Sequence, residues 1–236
     1  MKTVLITGGS RGIGKACVKK FAQNGYTVFF TYINNDAAAK ETSGETGAVG
    51  IKCDVSKSAE IDKLFDRIVS LGVTRLDCIV NNAGIAEQKM FCDISESDWD
   101  RIFDTNVKGT FLITKKFTPE MINAKKGSIV NISSIWGLSG GSCEVHYASS
   151  KAAVIGFTRA LSDELALSGI RVNCVAPGVI NTDMNAHLTS DDLKELADET
   201  PLGRIGNSEE IAETVYYLSD SASFITGEVI KVSGGF

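Results

Sequence analysis

The chain has 236 residues, of which 43% are hydrophobic and 22% are charged, with a formal net charge of -5 at pH 7. These ordinary globular values exclude a disordered or fibrous protein, and the length suits one large domain. The acidic balance gives no overall attraction to nucleic acid or to an anionic membrane, and no apolar run reaches the roughly 20 residues needed to cross a bilayer. We therefore expect a single cytoplasmic domain over residues 1–236, without nucleic-acid or membrane partners.

Short apolar runs alternate with segments of helical spacing along the whole chain. The predicted strands are KTVLIT (2–7), TVFFTY (27–32), AVGIKC (48–53), DCIVNN (77–82), GSIVNIS (127–133), IRVNCVAP (170–177) and EVIKVS (228–233). The predicted helices are Gly12–Asn24, Ala37–Thr46, Ser58–Leu71, Ser97–Ala124, His146–Ser168, Ser208–Leu218 and a shorter one over Ser190–Asp198. This alternation, with strands that are continuous apolar runs, predicts an α/β Rossmann fold: a doubly wound parallel sheet of about seven strands with helices on both faces.

The segment TGGSRGIG, residues 7–14, follows the first predicted strand and opens the first predicted helix. Backbone N–H groups and the helix dipole at such a turn face an anion, and glycines let a pyrophosphate approach the backbone closely. The spacing of Gly8, Gly12 and Gly14 differs from the G-x-G-x-x-G of many dinucleotide folds, and a tight turn without a ligand would look similar. Other features must therefore support the dinucleotide.

The end of the second predicted strand indicates which dinucleotide is used. Chains that bind NAD usually carry an acidic residue there, which bonds the ribose 2′-hydroxyl. This chain has Tyr32 at that position, and Asp36 comes later, where we expect it to cap the helix that begins at Ala37. Arg11 on the glycine loop is a suitable partner for a 2′-phosphate. The missing acid and the arginine together favour NADP(H) over NAD(H).

Cysteine and histidine usage argues against a metal site. The two histidines, His146 and His187, have no ligand-like neighbours in the sequence, and we expect neither to be a catalytic acid. The cysteines form no C-x-x-C pair, and scattered thiols of this kind suit a reducing compartment as small, mostly buried apolar residues. They are residues 17, 53, 78, 92, 143 and 174.

The order of these motifs resembles the short-chain dehydrogenase/reductase family, from Met1 to nearly Phe236. The matching segments are TGGSRGIG, CDV (53–55), NNAG (81–84), TNVKG (105–109), NISS (131–134), YASSK (147–151) and PGVINTDM (177–184). The resemblance implies that these residues contact the dinucleotide: Gly8, Ser10, Arg11, Gly12, Ile13, Gly14, Tyr32, Asp54, Val55, Asn82, Ala83, Gly84, Tyr147, Lys151, Pro177, Gly178, Ile180 and Thr182.

The resemblance also implies a catalytic set of Asn106, Ser134, Tyr147 and Lys151. Hydride transfer to a carbonyl builds an alkoxide, so Tyr147 would supply a proton and Ser134 would hold the substrate oxygen. Lys151 lies four residues on, on the same helix face, and its charge should favour the phenolate over a phenol whose ordinary pKa is about 10. Asn106 would hold a water that connects Lys151 to solvent. By residue type alone, Ser133 is as good a candidate as Ser134.

Within the family, the chain looks most like 3-oxoacyl-[acyl-carrier-protein] reductases, on the segments SRGIG, APGVINTDM, PLGRIG and ITGEVIKVSGGF. This likeness implies an acyl-thioester substrate, linked to a carrier protein or to CoA. Trp136 would bind the substrate together with Ser134 and Tyr147, although Trp136 is equally interpreted as a packing residue. A substrate lid is expected within about residues 181–206.

An acidic carrier protein would need a basic rim, for which Lys125, Lys126 and Arg171 are candidates. Two other functions stay open: an NAD(P)-dependent dehydrogenase of a sugar, polyol, steroid or other secondary alcohol, and a non-catalytic dinucleotide-binding sensor. The intact catalytic set argues against the sensor. The resemblance further implies a homotetramer, with contacts through the helices that begin at Ser97 and His146.

Overall fold

A computed structural model describes residues 1–183 and 189–236 of the chain. Within these residues, seven strands form one parallel sheet: β1 (Thr3–Ile6), β2 (Thr27–Tyr32), β3 (Val49–Lys52), β4 (Cys78–Asn81), β5 (Gly127–Ile132), β6 (Ile170–Pro177) and β7 (Val229–Val232). Their order across the sheet is β3-β2-β1-β4-β5-β6-β7. The predicted doubly wound α/β sheet is confirmed.

Helices connect the strands and cover both faces of the sheet. In chain order, those in the described ranges are α1 (Gly12–Gln23), α2 (Asp36–Thr46), α3 (Ser58–Ser70), α4 (Glu96–Phe103), α5 (Gly109–Ala124), α6 (Trp136–Ser139), α7 (Val145–Leu165), α8 (Ser190–Glu199) and α9 (Ser208–Asp220). Short 3-10 turns span Phe91–Asp93 and Ala166–Ser168.

Both faces of the sheet are buried, as β1 illustrates. Val4 and Ile6 belong to a core cluster that includes apolar residues of α1 and α9, whereas Leu5 belongs to a cluster with residues of α3 and α5. Successive side chains of a strand point to opposite faces. A strand with a helix layer on each side therefore needs apolar residues at every position, which explains the continuous apolar runs in the sequence.

The helix predicted over Ser97–Ala124 is interrupted. α4 ends at Phe103 and α5 begins at Gly109, and a π-helical turn over Asp104–Lys108 joins them. Apolar spacing did not reveal this turn, because a single wider turn hardly changes the helical pattern. Asn106 lies within it and is 1% exposed, so the irregular turn holds a predicted catalytic residue inside the protein.

The start of α2 also differs from the prediction. The helix begins at Asp36, and the side chain of Asn35 caps it by accepting a hydrogen bond from the Ala38 N–H at 2.9 Å. Asp36 is therefore not the cap. Its carboxylate pairs instead with Lys52 at the end of β3, with an N–O distance of 3.4 Å.

The predicted lid over residues 181–206 is described in part. Residues 184–188, which include His187, lie outside the described residues, so the expectation for His187 is not addressed. α8 confirms the short helix expected over Ser190–Asp198 and continues to Glu199.

Four of the six cysteines are buried, Cys92 is exposed and Cys143 lies between, all as free thiols. Among the residues that the structure describes, no group of three histidine, cysteine or carboxylate side chains could hold a metal ion. In the same ranges, the helices are too short or too polar to cross a membrane.

Candidate active site

A cleft of about 840 Å³ opens at the carboxyl ends of the strands. Its walls come from the segments that follow β1, β4, β5 and β6, and from α8. β1 lies between β2 and β4, so the chain changes direction across the sheet at this point. Open α/β sheets bind their ligands at such a switch point.

The glycine loop is tied to both neighbouring strands. The Gly9 N–H donates to Thr31 O at the end of β2, at 2.9 Å. On the other side, Asn82 Nδ2 donates to Thr7 O and Gly8 O at 2.9 and 3.2 Å. Asn82 thus holds the loop in place from the segment after β4.

The backbone of this loop has room for an anion but not for side chains. The φ angle is +68° at Gly8 and +51° at Gly12, and a Cβ at Gly14 would lie 2.0 Å from Gly8 O. α1 begins at Gly12 with no side-chain cap and no acidic residue in its first turn. Its first N–H groups, at the positive end of the helix dipole, therefore suit the pyrophosphate of a dinucleotide.

The Gly14→Ala variant should lose dinucleotide binding by at least about a hundredfold and be destabilised by about 1–3 kcal/mol. The added methyl group overlaps a main-chain carbonyl, so the loop or α1 has to move. Calorimetric titration with NADPH and guanidinium unfolding measure the two effects. Gly44→Ala is the matched control, because Gly44 lies in α2 with open space around its Cβ position. If Gly14→Ala bound NADPH as tightly as wild type does, the glycine loop would not be part of the dinucleotide site.

Tyr147 and Lys151 lie one turn apart on α7, and both are buried, at 8% and 5% exposure. The Tyr147 phenol interacts with the hydroxyl of Ser134, which lies just after β5. Lys151 Nζ donates to Ile132 O at 2.9 Å and lies 5.7 Å from the centre of the Tyr147 ring. The structure therefore brings three of the predicted catalytic residues together at the end of β5.

The structure distinguishes the two adjacent serines. Ser133 Oγ donates to Lys151 O at 2.8 Å, which fastens α7 to the end of β5. Ser134 Oγ accepts a hydrogen bond from the Trp136 N–H at 3.2 Å and also meets the phenol of Tyr147. Ser134 is accordingly the serine placed to share a ligand with Tyr147.

Asn106 fastens the segment after β4 to α7. Its Oδ1 accepts a hydrogen bond from the Ile85 N–H at 2.9 Å, and its Nδ2 donates to Ile85 O at 3.0 Å and to Ser150 Oγ at 2.9 Å. A Cβ at Gly84 would lie 3.2 Å from Lys151 Nζ and 3.3 Å from Asn106 Oδ1. In this structure Asn106 therefore positions the backbone beside Lys151.

Burial controls the ionisation of the catalytic pair. Burial raises the pKa of Tyr147 to about 12. The negative charge of Glu144 also raises this pKa, whereas hydrogen bonding by Ser134 lowers it. Burial lowers the pKa of Lys151 to about 8. In this structure the pKa of Tyr147 moves in the opposite direction from the one expected for a phenol beside Lys151, because removal from water disfavours the phenolate. Tyr147 therefore carries its proton at neutral pH.

The predicted cofactor contacts occupy the inner cleft and its flank. Gly8, Ser10, Arg11, Gly12 and Gly14 lie on the glycine loop or the start of α1, Tyr32 ends β2, and Ala83 follows Asn82. The cleft itself is lined by Ile13, Asn82, Gly84, Tyr147, Lys151, Pro177, Gly178, Ile180 and Thr182. The Thr182 methyl group lies 3.4 Å from a Cβ position at Gly12, so the segment after β6 closes over the glycine loop.

Three predicted cofactor residues lie at the edges of this arrangement. Asp54 Oδ1 accepts hydrogen bonds from the N–H and Oγ of Ser56, and Val55 is 2% exposed. Arg11 has a largely exposed side chain, 3.9 Å from a carboxylate oxygen of Asp183. Arg11 is thus free to reorient toward a ligand on the loop, whereas Val55 contributes to the core.

The outer part of the cleft contains residues that the sequence analysis missed. Carboxylates line it, at Glu87, Glu144, Asp192, Glu195 and Glu199. Glu87 accepts a hydrogen bond from Arg101 of α4 at 2.6 Å and lies 3.5 Å from Nε2 of the fully buried His146. No motif marks Glu87, because its place in the cleft depends on how the segment after β4 folds against α4 and α7.

Both interpretations of Trp136 agree with the structure. Its side chain lines the cleft, and its ring packs edge-on against Phe236 with the ring centres 5.7 Å apart. Val179 and Leu196 line the same cleft. The outer cleft therefore combines an apolar wall with a row of carboxylates.

The predicted basic rim is wrong for the cleft of a single chain. Lys125 and Lys126 precede β5 and Arg171 lies at the start of β6, so all three are at the amino ends of the strands. Lys126 and Arg171 line another cavity, of about 530 Å³, at that opposite edge. The Arg171 guanidinium donates to Leu218 O and Ser219 O at 2.6 and 2.9 Å, so it serves the fold.

The fold and the site together define a Rossmann-type oxidoreductase that uses a nicotinamide dinucleotide. A family model described as enoyl-(acyl carrier protein) reductase matches residues 8–236. The chain belongs to the short-chain dehydrogenase/reductase family, which confirms the resemblance found in the sequence.

Similar proteins share a more specific description. The chain is 42% identical to the 3-oxoacyl-[acyl-carrier-protein] reductase FabG of Aquifex aeolicus, over 99% of this chain and 96% of that protein. It is 41% identical to the protein of the same name from Thermotoga maritima, over 99% and 97% of the two chains. A crystal structure of 3-oxoacyl-[acyl-carrier protein] reductase from Brucella melitensis matches with a TM-score of 0.91 at 35% identity, covering 100% of this chain and 91% of that one.

Proposed function

We propose that this chain reduces a 3-oxoacyl thioester to the 3-hydroxyacyl thioester with NADPH. The observation that carries the proposal is the pair of hydroxyls on Ser134 and Tyr147, which interact with each other and line the same cleft. Two hydroxyls that meet at one point can both donate to a single carbonyl oxygen. The full-length relatives named 3-oxoacyl reductases, at 40% and 42% identity, support a carbonyl as the group reduced.

The residues divide the reaction between holding an oxygen and supplying a proton. A nicotinamide dinucleotide, when bound, supplies the hydride. Ser134 holds the carbonyl oxygen, and Tyr147 Oη gives its proton to that oxygen as the alkoxide forms. Because burial keeps the phenol protonated at neutral pH, Tyr147 begins the reaction in its donor form. The Lys151 ammonium, one turn along α7, then stabilises the phenolate that remains.

The choice of NADPH is supported by the charges beside the glycine loop. Arg11 carries a guanidinium, which suits a phosphate, at the start of α1. Tyr32 stands where NAD-binding chains carry an acid, and the nearby Asp36 is paired with Lys52. The ribose position therefore lacks an unpaired carboxylate of the kind that would bond a 2′-hydroxyl.

The outer cleft supports an acyl chain on an extended thioester. Trp136, Val179 and Leu196 offer apolar contacts, and Leu196 belongs to α8, within the segment 181–206 proposed as the substrate lid. The carboxylates around them disfavour an anionic group at this depth. The neutral arm that links the thioester to a carrier protein or to CoA would pass between these carboxylates. The charged part of the carrier or of CoA would then stay outside the cleft.

Acetoacetyl-N-acetylcysteamine is the sharpest test substrate, because it is a neutral 3-oxoacyl thioester. We expect turnover with NADPH, and a KM about tenfold lower than for acetoacetyl-CoA, because the carboxylates of the outer cleft repel the CoA phosphates that lie farther out. With NADH in place of NADPH, kcat/KM should fall by about tenfold or more. The loss of reduced-nicotinamide absorbance measures all three rates.

The same assay separates the other functions. Turnover of a crotonyl thioester but not of the acetoacetyl thioester would favour an enoyl reductase, in line with the description of the family model. Oxidation of sugars, polyols, steroids or other secondary alcohols alone would replace the thioester as substrate. If the chain bound NADPH but turned over none of these substrates, the result would favour a non-catalytic dinucleotide-binding sensor.

The helices α4 and α5 support assembly of several copies, as a homotetramer. Trp99 and Phe111 are 37% and 43% exposed, and the Trp99 ring stacks on that of Phe103 with centres 4.7 Å apart. Exposed aromatic side chains on adjacent helices are suited to packing against another copy of the same surface.

A further inference from the structure

The carboxyl ends of β2 and β3 bring three polar side chains together at the side of the cleft. Tyr32 ends β2 and Lys52 ends β3, and the two residues are direct partners in the parallel register. Asp36, the first residue of α2, joins them. Its carboxylate interacts with the Tyr32 phenol and lies 3.4 Å from Lys52 Nζ. Lys52 belongs to none of the motifs of the active site.

This cluster lies where a dinucleotide fold recognises the adenosine ribose. Tyr32 stands at the position of the acid that bonds the ribose 2′-hydroxyl in NAD-binding chains. The glycine loop is tied to the same strand end through the hydrogen bond from Gly9 to Thr31. A ribose attached to a pyrophosphate on that loop therefore comes to lie over the ends of β2 and β3.

We propose that Lys52 binds the 2′-phosphate of NADPH and is a determinant of cofactor specificity, an inference that rests on the proposed use of NADPH. Its side chain is 60% exposed, and that of Asp36 is 68% exposed. An exposed ion pair of this kind contributes little stability, so Lys52 can turn toward a phosphate at small cost while it remains beside Asp36. The phosphate offers more negative charge and more acceptor oxygens than one carboxylate.

Asp36 opposes this selectivity. Its carboxylate repels a 2′-phosphate and would accept a hydrogen bond from the 2′-hydroxyl of NADH. Lys52 balances that charge, so the preference between the two dinucleotides depends on the pair and not on Arg11 alone. Arg11, which faces Asp183 at 3.9 Å, approaches from the glycine loop, whereas Lys52 approaches from β3.

Calorimetric titration of the full chain with 2′,5′-ADP and with 5′-AMP tests the assignment without any turnover. The Lys52→Gln variant should bind 2′,5′-ADP about tenfold more weakly than wild type and bind 5′-AMP within about twofold of wild type. Asp36→Asn should bind 2′,5′-ADP about threefold more tightly, because the competing carboxylate is gone. Lys63→Gln, which removes an exposed lysine from α3, is the control for overall charge.

Each outcome has a distinct meaning. Unchanged binding by Lys52→Gln, with a wild type that prefers 2′,5′-ADP, overturns the role of Lys52 and leaves the NADPH proposal standing. An equal loss in Lys63→Gln shows a general effect of charge and also overturns the assignment. A wild type that binds the two nucleotides equally overturns the choice of NADPH and the role of Lys52 with it. Loss confined to 2′,5′-ADP in Lys52→Gln supports the proposal.

Discussion

Replacing Tyr147 with phenylalanine should lower kcat about a thousandfold, within the range by which general acids accelerate reactions. The change removes the phenolic oxygen and its proton but keeps the ring that packs in the buried site. NADPH affinity should stay within about twofold of wild type, because the aromatic ring and Lys151 remain. Steady-state reduction of acetoacetyl-N-acetylcysteamine and calorimetric binding of NADPH measure the two quantities.

Tyr217→Phe is the matched control for this variant. Tyr217 lies on α9 and is 52% exposed, away from the lining of the cleft, so loss of its hydroxyl should leave kcat unchanged. Turnover by Tyr147→Phe at the wild-type rate would assign the proton to another donor. A parallel loss of NADPH binding would instead indicate that the phenol supports the cofactor site.

Replacing Lys151 with methionine should abolish most activity and change how stability depends on pH. Burial lowers the pKa of Lys151 from an ordinary 10.5 to about 8. Between these values the unfolded chain binds a proton that the folded chain has released, so folding becomes more favourable as pH rises. Wild type should therefore gain about 3 kcal/mol relative to Lys151→Met from pH 8 to about 10.5, and nothing below pH 8.

Guanidinium unfolding of both proteins at neutral pH and near pH 10 measures this difference. Other groups titrate alike in the two proteins, so their contributions cancel in the comparison. The methionine also leaves Ile132 O without its 2.9 Å hydrogen bond, which adds an offset that does not vary with pH. Lys125→Met, at an exposed position, is the control for the loss of a lysine. A constant difference between wild type and Lys151→Met would mean that Lys151 titrates as an exposed lysine does.

The parts of the candidate site whose relative positions could be predicted depend on spacing along the chain. Gly8, Gly12 and Gly14 lie in one turn, and the steric demand of that turn is local. Tyr147 and Lys151 are four residues apart, so a helix places them on one face wherever it packs. The family motif implied that Asn82 contacts the dinucleotide, whereas its hydrogen bonds to Thr7 and Gly8 were found only in the structure.

Features that depend on contacts between distant segments were missed or predicted wrongly. Glu87 enters the cleft through its contacts with Arg101 and the buried His146. The role of Lys52 arises from pairing between β2 and β3. Arg171 was proposed for a surface role, but main-chain carbonyls of a later segment hold its guanidinium. The sequence shows which side chains are charged, but it does not show which groups they contact in the folded chain.

The sequence by itself determined the alternation of strands and helices, the glycine turn and the tyrosine–lysine pair, because periodicity and short spacings decide these features. Only the tertiary structure decided the π-helical turn that holds Asn106, the partners of Lys52 and the ionisation of Tyr147. These three features depend on which groups are buried away from water and on which residues from distant parts of the chain come into contact. The lysine beside Tyr147 was evident from the sequence, but the burial that raises the pKa of Tyr147 arises only when the sheet and α7 close around both residues.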